Sequence, residues 1–182
     1  SEGKTTVATN LARSLSLQDA KVLLVDGDLR RPTVHKQLKL SNEIGLGDYL
    51  RADPAEASVL RTSQKLEESD IYAICAGTKI SNPSEVLGGK SLKSMIEGAR
   101  DEFDIIIVDT PPVLAVTDTL LISEACDAVL IVGRINQTNR FSLRRAMLEL
   151  ERIVTPVVGL VVNDMSAAGG YSSGGYYGSY GY

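Results

Sequence analysis

Cysteine and histidine are scarce in this chain of 182 residues. Two cysteines, Cys75 and Cys126, lie far apart, there is no C-x-x-C pair, and His35 is the single histidine. Zinc and iron–sulfur sites need clusters of these ligands, and a disulfide framework needs several paired cysteines. The sequence therefore argues against all three, and we expect both cysteines to be reduced, buried thiols.

Long apolar runs and an excess of positive charge are also lacking. The longest apolar runs, residues 105–108, 129–132 and 157–162, are much shorter than the roughly 20 residues of a membrane-spanning helix. Lys and Arg number 19 against 23 Asp and Glu, which gives a net charge of −4. Because binding to a phosphate backbone depends on an excess of positive charge, we expect no nucleic-acid partner.

Short β-branched runs alternate with longer amphipathic stretches along the chain. Nearly continuous apolar strands are typical of a parallel sheet that is covered by helices on both faces. The sequence therefore predicts an α/β fold with a mostly parallel sheet, whose strands cover residues 21–25, 71–75, 104–108, 128–132 and 157–162.

The intervening stretches have the periodicity of helices. Only the last of them carries a wide apolar stripe in the sequence, and we expect the others to be more weakly amphipathic. The predicted helices cover residues 6–17, 91–102, 118–124 and 139–153, with a broken helical stretch over residues 33–60.

The composition changes abruptly at Ala167. Residues 171–182 contain five Tyr, four Gly and three Ser, with no charged and no aliphatic residue. Such a segment cannot bury enough apolar surface to offset its conformational entropy. We expect one domain over residues 1–166 and a flexible tail over residues 167–182.

The chain starts with the letters SEGKTT, directly before a helical stretch. They match the second half of G-x-x-x-x-G-K-[ST], in which backbone N–H groups cradle phosphates, the Lys reaches the β- and γ-phosphates and the following hydroxyl binds Mg²⁺. Lys4 and Thr5 would take those roles, and we expect the front half of the motif and the strand before it upstream of Ser1. Taken alone, an ordinary glycine at a helix start explains the same letters.

Acidic residues follow two of the predicted strands. Asp26 and Asp28 come after the first strand, and Asp109 ends the apolar run of residues 105–108. Each could be a simple turn or cap residue. Because parallel strands bring their carboxyl ends to one edge, where such sheets bind ligands, the three sites together favour a magnesium–nucleotide site.

Several motifs together resemble the catalytic domain of bacterial tyrosine kinases, the BY-kinases. These are P-loop kinases attached to capsule and exopolysaccharide chain-length machinery. The resemblance covers nearly the whole chain and rests on GKTT at residues 3–6, VDGDLRRP at 25–32, Gly77, NPSEVL at 82–87, residues 103–112 and the tyrosine-rich end.

The resemblance implies which residues bind the nucleotide and the metal. Walker A would be residues 3–6, with Gly3, Lys4, Thr5 and Thr6 on the nucleotide; Walker A′ would be residues 22–28 and Walker B residues 105–109. The cofactors would be ATP and Mg²⁺, with the metal held by Thr5, Asp28 and Asp109. Asn163 would contact adenine, although an Asn there could also be a cap or turn residue.

The resemblance also implies an activity, tyrosine autophosphorylation between the identical subunits of a ring. Lys4 would neutralise phosphate charge and Asp26 would accept the phenol proton, although which Asp acts as the base stays open. A membrane activator, fused upstream or separate, would hold the kinase at the cytoplasmic face of the bacterial inner membrane and link it to exopolysaccharide synthesis or export. The acceptors would be Tyr171, Tyr176, Tyr177, Tyr180 and Tyr182.

One rival class shares the expected fold and all three nucleotide motifs. It comprises the ParA/MinD-like ATPase switches, which position plasmids or division sites. That class has a second lysine early in its P-loop, and a C-terminal amphipathic helix or basic surface where this chain has neutral Tyr, Gly and Ser. Metal-cluster carriers on the same scaffold would need C-x-x-C, which this sequence lacks.

Overall fold

A computed structural model describes residues 2–53 and 57–163 of the chain. The predicted tail over residues 167–182 lies outside these described residues. Within them the strands are β1 Val22–Asp26, β2 Gln64–Lys65, β3 Ile71–Ile74, β4 Ile105–Asp109, β5 Val129–Arg134 and β6 Val157–Asn163. The helices are α1 Lys4–Ser16, α2 Val34–Leu38, α3 Leu46–Arg51, α4 Val59–Thr62, α5 Pro83–Leu87, α6 Lys90–Ala99, α7 Asp118–Ser123 and α8 Arg140–Leu150.

The strands form two groups in the described residues. Four strands pair in the order β2-β3-β1-β4, and β5 pairs with β6. All these pairings are parallel except that of β2 with β3. The prediction of a mostly parallel α/β sheet is therefore confirmed, and the five predicted strands agree with β1, β3, β4, β5 and β6 to within two residues at each end.

Strand β1 lies at the centre of the core because both of its faces are covered. Leu23 and Val25 pack in a cluster with residues of α6 and α7, including Met95 and Ile122. The alternate side chain Leu24 packs with residues of α1 and α2, and Val22 packs with α1 and β3. This alternation confirms that helices cover the sheet on both faces at β1.

Strand β6 contradicts the expectation of a buried strand. Its side chains alternate, and Val158, Leu160 and Val162 are 65%, 44% and 58% exposed in the described part of the chain. The apolar run therefore predicts a strand but does not predict whether both of its faces are buried, since burial depends on which elements pack against each face.

The helices agree with the prediction in one stretch and differ from it in other places. The broken helical stretch predicted over residues 33–60 consists of three short helices, α2 to α4, of which α4 ends at Thr62. Helix α5 and the two-residue strand β2 were not predicted, because both are too short to produce a periodic pattern. The prediction that α6 is only weakly amphipathic was wrong, since α6 buries Leu92, Met95, Ile96 and Ala99.

A cavity separates the two groups of strands. Among the described residues β4 pairs only with β1, and β5 pairs only with β6, so each has one unpaired edge. Between them lies a space of about 400 Å³, lined by Ile105–Val108 of β4, by Val129, Leu130 and Val132 of β5, and by α1. An added apolar strand would satisfy both edges, and the strand expected upstream of Ser1 stays a prediction.

The turn after β3 requires glycine at Gly77. This residue has a φ of +77°, which favours glycine, and a Cβ there would collide with the Asp48 carboxylate and the backbone nitrogen of Gly45. Asp48 needs this space because its Oδ2 accepts hydrogen bonds from the backbone N–H groups of Gly45 and Thr78, both at 3.0 Å.

We expect Gly77→Ala to lower the free energy of unfolding by about 1–3 kcal/mol, because it adds backbone strain and a steric collision. Gly98→Ala is the matched control, since a Cβ at this position of α6 meets nothing within 4 Å. The control should raise stability by about 0.5–1 kcal/mol. Urea unfolding measures both variants, and equal stability of the two would contradict the assigned turn.

Candidate active site

The carboxyl ends of β1 and β4 meet at one edge of the sheet. The two strands are parallel neighbours, and Asp26 lies directly opposite Asp109 in their register. The backbone N–H of Gly27 continues the pairing with a 2.8 Å hydrogen bond to the carbonyl of Asp109. The predicted convergence of these two acidic strand ends is confirmed.

The first turn of α1 lies at the same edge. Gly3 caps the helix with a φ of +87°, a backbone conformation that favours glycine, and Lys4 is the first helical residue. Thr5 Oγ1 donates a 2.5 Å hydrogen bond to Asp109 Oδ2 and lies 2.9 Å from Thr33 Oγ1. The structure thus brings together the hydroxyl and the carboxylate that the sequence selected as metal ligands.

The Lys4 side chain is held by a carboxylate close to it in sequence. Its Nζ lies 2.8 Å from Glu2 Oε2, and this hydrogen bond holds the pKa of Glu2 below its usual value. A phosphate arriving at α1 would therefore compete with Glu2 for the ammonium group.

Asp26 is fully buried, and both oxygens of its carboxylate already accept hydrogen bonds. Oδ1 accepts a hydrogen bond from the backbone N–H of Asp28, and Oδ2 accepts from those of Thr33 and Val34, at 3.0–3.2 Å. Burial, together with the nearby Asp109 carboxylate, raises the pKa of Asp26 from 3.8 to about 7, although these N–H groups oppose the shift. This geometry gives Asp26 a structural task, that of fixing the loop over residues 27–34.

Asp28 is more accessible than Asp26. Its side chain is half-buried, and its Oδ1 accepts hydrogen bonds from the backbone N–H groups of Arg30 and Arg31 at 3.2 and 2.9 Å. Burial raises the pKa of Asp109 and the charge on Asp28 adds to it, while Thr5 and Lys4 oppose the shift. The charge of Asp28, which adds to the cost of a charged Asp109, favours a cation at this edge.

Asn163 lies at the carboxyl end of β6, next to the phosphate-binding loop. Its Nδ2 donates a 3.1 Å hydrogen bond to the backbone carbonyl of Glu2. Thr6, which was also expected to bind nucleotide, instead accepts a 3.2 Å hydrogen bond from Gln37 Nε2 on α2. Both residues therefore border the site, and their nucleotide contacts stay predictions.

The oxygen atoms at this edge suit Mg²⁺. A hydroxyl from Thr5 and carboxylates from Asp109 and Asp28 are hard oxygen ligands, and Mg²⁺ in nucleotide sites takes one or two protein ligands plus phosphates and water. The described residues contain no cluster of three or more His, Cys, Asp or Glu side chains with metal-site geometry. Phosphate oxygens and water would therefore have to complete the coordination.

Sequence reasoning missed several residues at this edge. Thr33 touches Thr5 through its side chain and Asp26 through its backbone. Arg30 forms an ion pair with Asp118, 88 positions away, and both contact Ser84. The spacing of these residues carries no signal for such pairings, although Arg30 and Ser84 lie in motifs that the family resemblance singles out.

Three further predictions concern the cysteines, the tail tyrosines and membrane-spanning segments. Cys75 is buried and Cys126 is half-buried, and both are free thiols. The five tail tyrosines that were expected to be phosphorylated lie outside the described residues. No helix among residues 2–53 and 57–163 is both long and apolar enough to cross a membrane.

The fold and the site define a nucleotide-binding α/β domain of the P-loop NTPase type. Residues 2–155 match the AAA domain family. The chain is 34% identical over 182 residues to the tyrosine-protein kinase CpsD of Streptococcus pneumoniae and spans 79% of its length. It is 36% identical over 174 residues to the tyrosine-protein kinase ptk of Acinetobacter johnsonii, of which it spans 23%.

A solved structure agrees with these relatives. The kinase domain of the Escherichia coli tyrosine kinase ETK superposes with a TM-score of 0.84 at 32% identity, over 96% of this chain and 68% of that one. The chain belongs to the family of bacterial tyrosine-protein kinases and corresponds to the kinase domain of its members. The cell-division ATPase MinD of Pyrococcus furiosus, at 25% identity and a TM-score of 0.71, shares the fold over 89% of this chain and 67% of that one.

The raised pKa of Asp26 predicts a pH-dependent stability. Between about pH 4 and pH 7 the folded protein keeps a proton on Asp26 that the unfolded chain releases, so this carboxyl makes stability fall as the pH rises through that window. Asp26→Asn removes this contribution. As the pH rises through this window, we therefore expect the variant to gain stability relative to the native protein, by at most about 1.4 kcal/mol per pH unit.

Urea unfolding at several pH values, with chelator and without nucleotide, measures this difference. The loss of one backbone hydrogen bond in Asp26→Asn shifts all points equally, so only the slope with pH reports the charge. A difference that stays constant from pH 4 to pH 8 would contradict the raised pKa.

Proposed function

We propose that this domain transfers the γ-phosphoryl group of ATP to tyrosines in its own C-terminal cluster, and that the transfer runs between subunits. The observation that carries the proposal is the contact between Thr5 of α1 and Asp109 of β4, at the edge where Asp26 and Asp28 also lie. Family membership supports the same chemistry, because the relatives are tyrosine-protein kinases.

Phosphoryl transfer needs charge neutralisation and alignment more than covalent chemistry. Lys4 would exchange Glu2 for the β- and γ-phosphates, while the N–H groups at the start of α1 hold the phosphate oxygens. Mg²⁺, held by Thr5 and Asp109 with support from Asp28, would neutralise charge on the phosphates. Asn163, at the end of β6, would lie beside the nucleotide base.

The base for the incoming phenol stays open between Asp26, which the sequence suggested, and Asp28. The phenol has a pKa near 10, so a nearby carboxylate helps its proton to leave at neutral pH. Full burial and three backbone hydrogen bonds disfavour direct contact of Asp26 with a phenol. The half-buried Asp28 has the easier access. The base would be the residue whose replacement by Asn lowers phosphoryl transfer much more than it lowers the affinity for Mg-ATP.

The position of β6 supports the tail as the substrate. The strand ends at Asn163, whose side chain contacts the backbone of the phosphate-binding loop, so the chain leaves its last strand beside the site. A random coil of 12 residues, the length of the tyrosine cluster at 171–182, would span about 20 Å, enough to reach the site of an adjacent subunit. This reach supports the proposal of transfer between neighbours in a ring, which the family resemblance suggested.

The cellular setting is part of the same proposal. The kinase would assemble as a ring of identical subunits at the cytoplasmic face of the bacterial inner membrane, with a transmembrane activator that is fused upstream or separate. Phosphorylation would then regulate the synthesis or export of exopolysaccharide or capsule. The family resemblance supports these assignments, and the net charge of −4 gives no support for a nucleic-acid partner.

A second candidate is an ATPase switch of the MinD type, favoured only by the shared fold. Such a switch would hydrolyse ATP without phosphorylating itself. Retention of phosphate on the protein therefore separates the two candidates.

We expect Lys4→Met and Asp109→Asn each to lower tyrosine phosphorylation by roughly 100-fold to 1,000-fold, since each removes charge compensation at the phosphates or the metal. Lys93→Met and Asp127→Asn are matched controls, because both residues form exposed ion pairs. Phosphotyrosine formation and circular dichroism should be measured together. A folded Lys4→Met or Asp109→Asn variant with full activity would overturn the site.

Mixing two variants that are each inactive alone tests transfer between subunits. One protein carries Lys4→Met and an intact tail; the other keeps Lys4 but has Phe in place of Tyr171, Tyr176, Tyr177, Tyr180 and Tyr182. We expect each alone to show little phosphotyrosine, and the mixture to phosphorylate the tail of the Lys4→Met protein. A mixture as inactive as its parts, with native ATP binding by the Phe variant, would contradict transfer between subunits.

A further inference from the structure

The loop after β1 is tied to two other elements by one arginine. Arg30 Nε donates a 2.7 Å hydrogen bond to Asp118 Oδ2, and its Nη2 donates a 3.0 Å bond to Asp118 Oδ1. Asp118 is the first residue of α7 and its side chain is fully buried, whereas that of Arg30 is 39% exposed. The pair is therefore bidentate and half-shielded from water, a geometry that fixes the guanidinium in one orientation.

Ser84 of α5 completes this arrangement. Its hydroxyl donates a 2.6 Å hydrogen bond to Asp118 Oδ1 and lies 3.0 Å from Arg30 Nη2. Burial raises the pKa of Asp118, but the hydrogen bonds from Arg30 and Ser84 outweigh burial and leave it below its usual value. We name the side chains of Arg30, Ser84 and Asp118 the arginine clamp.

The clamp acts on the loop that carries the acidic residues of the site. The backbone N–H groups of Arg30 and its neighbour Arg31 donate to Asp28 Oδ1. The same residue that is anchored on α7 by its side chain thus orients the Asp28 carboxylate by its backbone. A displacement of Arg30 would therefore also displace the Asp28 carboxylate.

We propose that Arg30 is a positioning residue that sets the Asp28 carboxylate relative to Asp109 and Thr5, so that the clamp tunes the affinity of the site for Mg²⁺. The proposal rests on the proposed function, in which Asp28 supports the metal. It also gives a task to Ser84, in the NPSEVL motif, and to Asp118 at the start of α7. Groups that orient metal ligands typically contribute about 10–100-fold to metal affinity.

The decisive variant is Arg30→Lys. Lysine keeps the positive charge but cannot make the bidentate contact, so it loosens the loop without leaving Asp118 unpaired. Arg100→Lys is the matched control, because Arg100 pairs with the exposed Asp127 through one 2.8 Å contact and is distant in sequence from the Asp28 loop. Ser84→Ala removes one hydrogen bond and should have a smaller effect in the same direction.

The experiment measures binding of a fluorescent ADP analogue to each purified protein, first in chelator and then over a Mg²⁺ titration, with thermal unfolding as a check of the fold. We expect Arg30→Lys to raise the half-saturating Mg²⁺ concentration by about tenfold. Its affinity for the analogue in chelator should stay within about twofold of the native value, and Arg100→Lys should change neither quantity.

Three results would overturn the inference, and they differ in what else they affect. If the native protein and folded Arg30→Lys share one Mg²⁺ dependence, the clamp is a structural tie only and the proposed function stands. If the native protein binds the analogue with no Mg²⁺ dependence, the assigned metal site fails and the inference fails with it. Equal weakening of binding in chelator and in Mg²⁺ would likewise mark a purely structural role.

Discussion

The pairing of β1 with β4 in register is the constraint on which the rest of the site depends. It places Asp26 opposite Asp109 at one edge of the sheet, and α1 packs on these strands so that Thr5 reaches the Asp109 carboxylate. A slip of one residue in this register would turn each acidic side chain to the other face of the sheet. The apolar residues of β1, buried on both faces, oppose such a slip and so fix the geometry of the candidate site.

Burial of carboxylates is the main electrostatic cost of this arrangement. Asp26 and Asp109 are both buried and their pKa values are raised, so the charged form of each is costly in the nucleotide-free site. Three backbone N–H groups offset part of the cost at Asp26, and Thr5 and Lys4 offset part at Asp109. A divalent cation next to Asp109 would oppose part of what remains, which is a physical argument for the proposal that metal and nucleotide bind together.

The sequence predicted those features that depend on local pattern. The β-branched runs located the parallel strands, GKTT located the start of α1, and the acidic strand ends were correctly expected to meet at one edge of the sheet. Features that depend on tertiary contacts were not predictable: the ion pair of Arg30 with Asp118 joins residues 88 positions apart. The burial of Asp26 under its own loop also depends on how residues 27–34 fold back, and the exposure of β6 depends on what packs against it.

Mapping of phosphate on the purified protein after incubation with Mg²⁺ and ATP tests the central claim most directly. Intact-mass analysis gives the number of phosphates per chain, and peptide mapping gives their positions. The account predicts phosphate on tyrosines within residues 171–182. Steady hydrolysis of ATP with no phosphate on the chain would contradict it and would favour an ATPase switch.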